Sequence, residues 1–216
     1  MRWLFALLTA AVVAAAAAAT VAAAAGNPES VVIPAGEALR LNAVLFRPEG
    51  RGPFPAAIGL HNCTGLLNRS GLIGARYRDW GRRLAGVGFA VLFPDSYGSR
   101  GLGSQCGVRR RALRVERERV ADADAARHWL QRQPWAIASR VSLLGWSNGG
   151  IAALWAVRRR AQRAEGPDYR AAVALYPGCR RLGNTAWSAR VPTLILIGRA
   201  DDQVSAAACQ QSGALI

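Results

Sequence analysis

Near the middle of the chain, a serine between glycines has the spacing of a site that transfers acyl groups. Gly145, Ser147 and Gly149 spell G-x-S-x-G within Arg140–Gly150, the pattern of a nucleophile elbow. Acyl transfer needs a nucleophile, a base for its proton, a group that orients the base, and donors for the oxyanion. Ser147 is the candidate nucleophile. The backbone N–H of Asn148, the residue after it, is the expected first oxyanion donor. The second is expected from the His61–Gly65 loop, as the amide of Asn62 or of Cys63. Asp201 and Asp202 follow the last apolar run, where the acid belongs in the chain order Ser, Asp, His. A helix N-cap ahead of Val204-Ser205-Ala206 suits Asp202 better.

The base has no counterpart. That order calls for a histidine after Asp201, yet the chain has only two histidines, His61 and His128. His61 belongs to the candidate oxyanion loop and suits a structural role. His128 falls in a helical stretch four residues after Asp124 and is expected to pair with it. No C-x-x-C or close Cys/His spacing suggests zinc, and the chemistry needs neither metal nor cofactor.

The elements that must position these groups alternate between strand and helix patterns. Val141–Leu144 reads as a buried strand and Ile151–Val157 as a helix, so Ser147 falls on the sharp turn between them. A serine there is strained, and flanking glycines let chains pass closely. Ser30–Ile33 and Leu39–Leu45 read as opening strands, Ala56–Leu60 as a short buried strand, and Phe89–Phe93 as the next. Tyr77, Trp80 and Leu84 mark a helix stopped at Gly86 or Gly88. A loop over Ser96–Gly107 precedes a long helix expected over Arg109–Gln131. Its buried face is Leu113, Val120, Ala123, Ala126 and Leu130, with Arg114 and Glu118 as an i, i+4 pair. Ala171–Leu175 and Thr193–Ile197 complete the strands. The fold class is α/β: a mostly parallel sheet covered by helices on both faces, with the site at the carboxyl ends of the strands.

Composition narrows the setting. Met1-Arg2 followed by the apolar, alanine-rich Trp3–Ala25 reads as a signal peptide cleaved before Gly26. Export to the periplasm or medium follows, with no stable membrane association after cleavage. The net charge of +15 comes from 28 basic residues, all arginine. They are spread along the chain with short clusters at Arg109–Arg111 and Arg158–Arg160, without interleaved aromatics. That is a diffuse basic surface, not a nucleic-acid platform. Four cysteines in an exported chain make disulfides plausible.

Four segments together resemble the dienelactone hydrolase family of α/β-hydrolases over Pro34–Cys209. They are Leu60-His61-Asn62-Cys63-Thr64-Gly65, Leu92–Gly101 (LFPDSYGSRG), Gly145-Trp146-Ser147-Asn148-Gly149-Gly150 and Leu196–Asp202 (LIGRADD). The resemblance places the acid at Asp201 and the oxyanion loop at Asn62 and Cys63. It implies hydrolysis of a small-molecule ester. The namesake enzymes use a cysteine nucleophile where this chain has Ser147, which favours ordinary carboxylic esters. In a sheet of this family Cys63 and Cys106 would follow neighbouring strands, as would Cys179 and Cys209, so these two pairs are the expected disulfides. Thr193–Ile197 is apolar at nearly every position, as in a strand with neighbours on both sides. Family members continue with another strand, a histidine loop and a closing helix. The expectation is a domain over 26–216 that lacks the last strand and helix, with the triad histidine missing. The alternative is a non-catalytic domain binding a ligand near the elbow.

Overall fold

The apolar runs assemble into one seven-stranded sheet in the computed structural model, which describes residues 27–159, 166–182 and 186–211. The expected signal segment lies outside the described residues, as do Arg160 and 212–216. The strands are β1 (Glu29–Pro34), β2 (Arg40–Phe46), β3 (Phe54–Leu60), β4 (Ala90–Pro94), β5 (Ala136–Trp146), β6 (Ala172–Leu175) and β7 (Thr193–Leu196). Their order is β1-β2-β4-β3-β5-β6-β7. The first two pairings are antiparallel and the remainder parallel.

Strands buried on both faces must be apolar throughout, and β4 is buried along its whole length. Ile58 of β3 registers with Leu92 of β4 on one side and with Leu143 of β5 on the other. The helices are α1 (Ala75–Gly86), α2 (Val120–Gln131), α3 (Asn148–Ala156) and α4 (Ala206–Gln211). One face of the sheet buries Ile58, Leu92 and Leu143 against Ala123, Ala126 and Leu130 of α2 and Ala152 and Ala153 of α3. The opposite face packs Phe46, Val91, Phe93 and Trp146 against Tyr77 and Ala85 of α1. No described helix is long and apolar enough to cross a membrane.

The long helix differs from expectation at its start. Residues Arg109–Arg114 are irregular, Val115–Arg119 form a π-helical turn, and α2 begins only at Val120. The cause is local: the Glu118 carboxylate accepts the backbone N–H of Arg114 at 2.6 Å, as a residue near a helix start reaches back to its cap. Arg114 and Glu118 therefore meet through the main chain. The expected apolar face is buried, from Leu113 through Val120, Ala123 and Ala126 to Leu130. On β7, Leu194 and Leu196 are 39% and 47% exposed.

Strand order reverses direction at β3, whose neighbours are β4 and β5. In open α/β sheets such a switch point opens a crevice at the carboxyl ends. The loop after β3 and the elbow after β5 meet there.

Candidate active site

Ser147 sits between β5 and α3 with φ 51° and ψ −113°, a conformation costly for any residue with a side chain. Two backbone bonds hold it. Its N–H donates to Leu175 O at 2.9 Å, and its carbonyl accepts from Ile151 N at 2.9 Å. The glycines have a measurable reason. A Cβ on Gly145 would lie 2.2 Å from Gly149 O, and one on Gly149 would lie 1.9 Å from Leu60 O and 2.6 Å from His61 O. The first turn of α3 thus rests directly on the backbone leaving β3. Asn148 is the first residue of α3, and the N-terminal amides of a helix favour developing negative charge.

The loop after β3 is tied down residue by residue. Asn62 Oδ1 accepts from Thr64 N at 3.0 Å and from Thr64 Oγ1 at 2.5 Å. The Asn62 N–H donates to the Tyr77 hydroxyl at 2.9 Å. The Cys63 N–H has no hydrogen-bond partner among the described residues. Its carbonyl accepts from Gln105 N at 2.8 Å, and its sulfur is bonded to Cys106. Of the two expected donors in this loop, Asn62 is engaged and Cys63 is open.

His61 is fully buried. Nδ1 lies 2.8 Å from Asn62 O, and Nε2 accepts the Ser96 N–H at 3.2 Å. Those partners define a neutral ring with its proton on Nδ1. Burial, with the nearby Arg119 charge, holds its pKa well below the ordinary histidine value. Asp95 Oδ1, 3.8 Å from Nε2, is taken up by the amides of Tyr97 and Gly98. His128 lies on α2 with Nε2 3.0 Å from Arg127 Nη2. Its expected partner Asp124 accepts the Tyr169 hydroxyl at 2.7 Å.

On the other side of the elbow, Asp201 follows β7. Its Oδ1 accepts the amides of Gln203 and Val204, each at 3.0 Å, which fixes the carboxylate in the turn. The helix N-cap expected at Asp202 is instead Ser205, whose Oγ accepts the Ala208 N–H of α4, because the helix begins only at Ala206. Cys209 of α4 is bonded to Cys179 in the loop after β6, so both expected cysteine pairs are joined.

A cavity of about 630 Å³ opens beside the oxyanion loop, lined by Thr64, Gly65, Tyr77, Tyr97, Leu102 and Ser104 among others. The Ser96–Gly107 loop forms one wall of it, through Tyr97, Gly98 and Leu102–Ser104. Trp146 is 2% exposed and packs on Tyr77, Trp80 and Phe93. Tyr97 turns its hydroxyl to Asn148 Oδ1 at 2.9 Å. Arg109, Arg110 and Arg111 line a separate cavity of about 560 Å³ against Ile151 and Trp155 of α3. Among the described residues, no three His, Cys, Asp or Glu side chains gather as a metal site requires.

Sequence reasoning missed Arg119, which is 1% exposed and donates Nη1 to Asn148 Oδ1 at 2.6 Å. The signal was there: Arg119, Ala123, Ala126 and Leu130 share one helical stripe.

The family model for the dienelactone hydrolase family matches residues 41–213. Among solved structures, a dienelactone hydrolase-like promiscuous phosphotriesterase from metagenomic libraries is similar at 22% identity and a TM-score of 0.66, covering 88% of this chain and 76% of that one. A presumptive dienelactone hydrolase from Klebsiella pneumoniae is similar at 20% identity and 0.64, covering 88% and 78%. An esterase of Pyrococcus furiosus is similar at 20% and 0.63, covering 86% and 76%. At these identities the structures show a shared α/β-hydrolase fold. No curated protein sequence matches the chain.

Proposed function

We propose, for a chain that belongs to the dienelactone hydrolase family, hydrolysis of small carboxylic esters through an acyl-enzyme on Ser147. The observation that carries this reading is the strained elbow, with Ser147 at φ 51° directly before α3, whose Gly149 packs against the main chain of Leu60 and His61 that leads into the Cys63 loop. Ser147 Oγ attacks the ester carbonyl carbon, and the carbonyl oxygen becomes an oxyanion held by the amides of Asn148 and Cys63. Each such donor contributes about 2.7–4 kcal/mol in the transition state. The proton lost from the Ser147 hydroxyl passes through solvent or an added base to the departing alkoxide. Water then attacks the acyl carbon, leaving its hydroxyl on the released acid and returning a proton to Ser147 Oγ. Asp201, held through one oxygen by two backbone amides, keeps its other oxygen to orient a base.

Neither histidine of the 216 residues suits that base, His61 because both ring nitrogens are engaged, and His128 because it belongs to α2. The 216-residue chain is therefore expected to be a weak catalyst. A site without its base retains roughly 10³–10⁴-fold over water from the oxyanion hole and binding. Likenesses to proteins described as an esterase and as a phosphotriesterase agree with electrophilic ester substrates. Export is part of the reading, from the leader-like residues 1–25 and from two disulfides that suit an oxidising compartment.

The test is hydrolysis of 4-nitrophenyl acetate with and without imidazole as an added base. Slow turnover that imidazole accelerates in the wild type, and not in Ser147→Ala, supports the proposal. Equal rates in both proteins overturn it. The engagement of His61 also favours a second reading, a non-catalytic binding domain. Tight ligand binding near Ser147 with no Ser147-dependent turnover would select it.

A further inference from the structure

We propose that Arg119 is a positioning residue for the oxyanion hole, acting through the side chain of Asn148; the proposal rests on the serine-hydrolase reading above. Arg119 ends the π-helical turn ahead of α2 and is buried beneath the elbow at 1% exposure. Its Nη1 donates to Asn148 Oδ1 at 2.6 Å, and the Tyr97 hydroxyl donates to the same oxygen at 2.9 Å. The guanidinium also lies 5.2 Å from the Tyr97 ring centroid, within cation–π range.

As a stabilising device this arrangement is poor. Nε and Nη2 of Arg119 have no hydrogen-bond partner, nor does Asn148 Nδ2. No carboxylate forms a salt bridge to Arg119 among the described residues. A buried guanidinium without a paired anion is expensive, and an apolar side chain of similar volume is often neutral or better there. Burial lowers the Arg119 pKa, opposed by Tyr97 and Asp122, yet arginine stays protonated in proteins. What this cost secures is one hydrogen bond, to the Asn148 side-chain carbonyl, alongside the Tyr97 ring.

Asn148 needs such a hold. It is the first residue of α3, directly after the strained Ser147, and carries the proposed donor amide. Two donors converging on Oδ1 fix the side chain and, through it, the peptide plane that aims the amide. The buried charge behind the helix start also adds positive potential where negative charge develops. The same charge helps keep His61 neutral, so the loop that carries Cys63 retains its bonding pattern.

The experiment compares Arg119→Met, Arg119→Lys and Tyr97→Phe with the wild type. Its readouts are kcat and KM for Ser147-dependent ester hydrolysis, the melting temperature, and the amide resonance of Asn148. Arg119→Met should lower kcat about 10- to 100-fold, below the loss of a whole donor, with KM within about twofold and melting unchanged or raised. Arg119→Lys should recover part of kcat, and Tyr97→Phe should lose only a few-fold, as a neutral donor contributes less. The Asn148 resonance should shift in Arg119→Met. A purely structural role predicts the opposite: kcat and melting temperature fall together, and lysine restores neither. If the wild type shows no Ser147-dependent turnover, the functional reading fails. The Asn148 resonance then decides this proposal, and a resonance unmoved in Arg119→Met overturns it.

Discussion

Adding one methyl group at Gly149 should separate the two halves of the proposed oxyanion hole. Gly149 is in the first turn of α3, where replacing glycine by alanine would ordinarily gain about 0.5–1 kcal/mol of helix stability. Here the new Cβ would lie 1.9 Å from Leu60 O, 2.5 Å from Leu60 C and 2.6 Å from His61 O. These are backbone atoms and cannot rotate away. An ordinary contact requires α3 and the end of β3 to part by about 1.5 Å. Overpacking of this kind costs about 1–3 kcal/mol. With main chain on both sides the upper value applies, so the net loss is about 2 kcal/mol after the helix gain. A displacement near 1 Å between catalytic groups costs about 100-fold in rate, so kcat should fall by that order. Urea unfolding measures the first quantity and Ser147-dependent ester turnover the second. Gly81→Ala is the control. Its Cβ would press on the Phe46 ring at 2.5 Å, on the opposite face of the sheet, so it should destabilise without comparable loss of kcat. Wild-type stability and kcat in Gly149→Ala would refute the geometry of the elbow.

Two further outcomes follow from groups around the site. His61 is buried neutral with its pKa depressed, mainly by desolvation. The unfolded chain then binds a proton that the folded chain refuses, so stability should fall as pH drops below about 6.5, by at most about 1.4 kcal/mol per pH unit for one proton. Urea unfolding between pH 7.5 and 5 checks this, in an Asp95→Asn background because Asp95, raised by burial, acts in the opposite sense; a flat profile there would contradict it. Removing the Cys63–Cys106 bond, which closes a separation of 43 residues, should cost about 4 kcal/mol on the chain-entropy account and free the loop carrying the Cys63 amide. A Cys63→Ala/Cys106→Ala protein within about 1 kcal/mol of wild type would contradict that estimate.

Much of this fold is legible because apolar periodicity and burial have one cause. Phe89–Phe93 is apolar throughout, and Val141–Leu144 is apolar but for Ser142, because helices cover both faces of the sheet; the G-x-S-x-G spacing is a backbone-contact requirement visible as residue type. Cysteine pairing is legible once the strand order is known, since neighbouring parallel strands end side by side. What escaped the sequence depended on side chains binding main chain. The Glu118 carboxylate reaching Arg114 N moves the start of the long helix, and Tyr77 binding Asn62 N leaves Cys63 as the open amide. Asp201 and Asp202 are adjacent identical side chains, and only the turn amides distinguish them. Arg119 reads as a surface residue because an arginine on a helix is usually solvated, although its place on the stripe of Ala123, Ala126 and Leu130 marks it as buried.

The central claim, that Ser147 is an acylating nucleophile, is tested most directly by mass. The protein is incubated with 4-nitrophenyl butyrate, quenched in acid and digested, and the peptide containing Gly145–Gly150 is weighed and fragmented. The account predicts one butyryl group on Ser147, gained faster with imidazole present and missing from Ser147→Ala. Butyrylation confined to other residues, or ester turnover in Ser147→Ala equal to wild type, would contradict it.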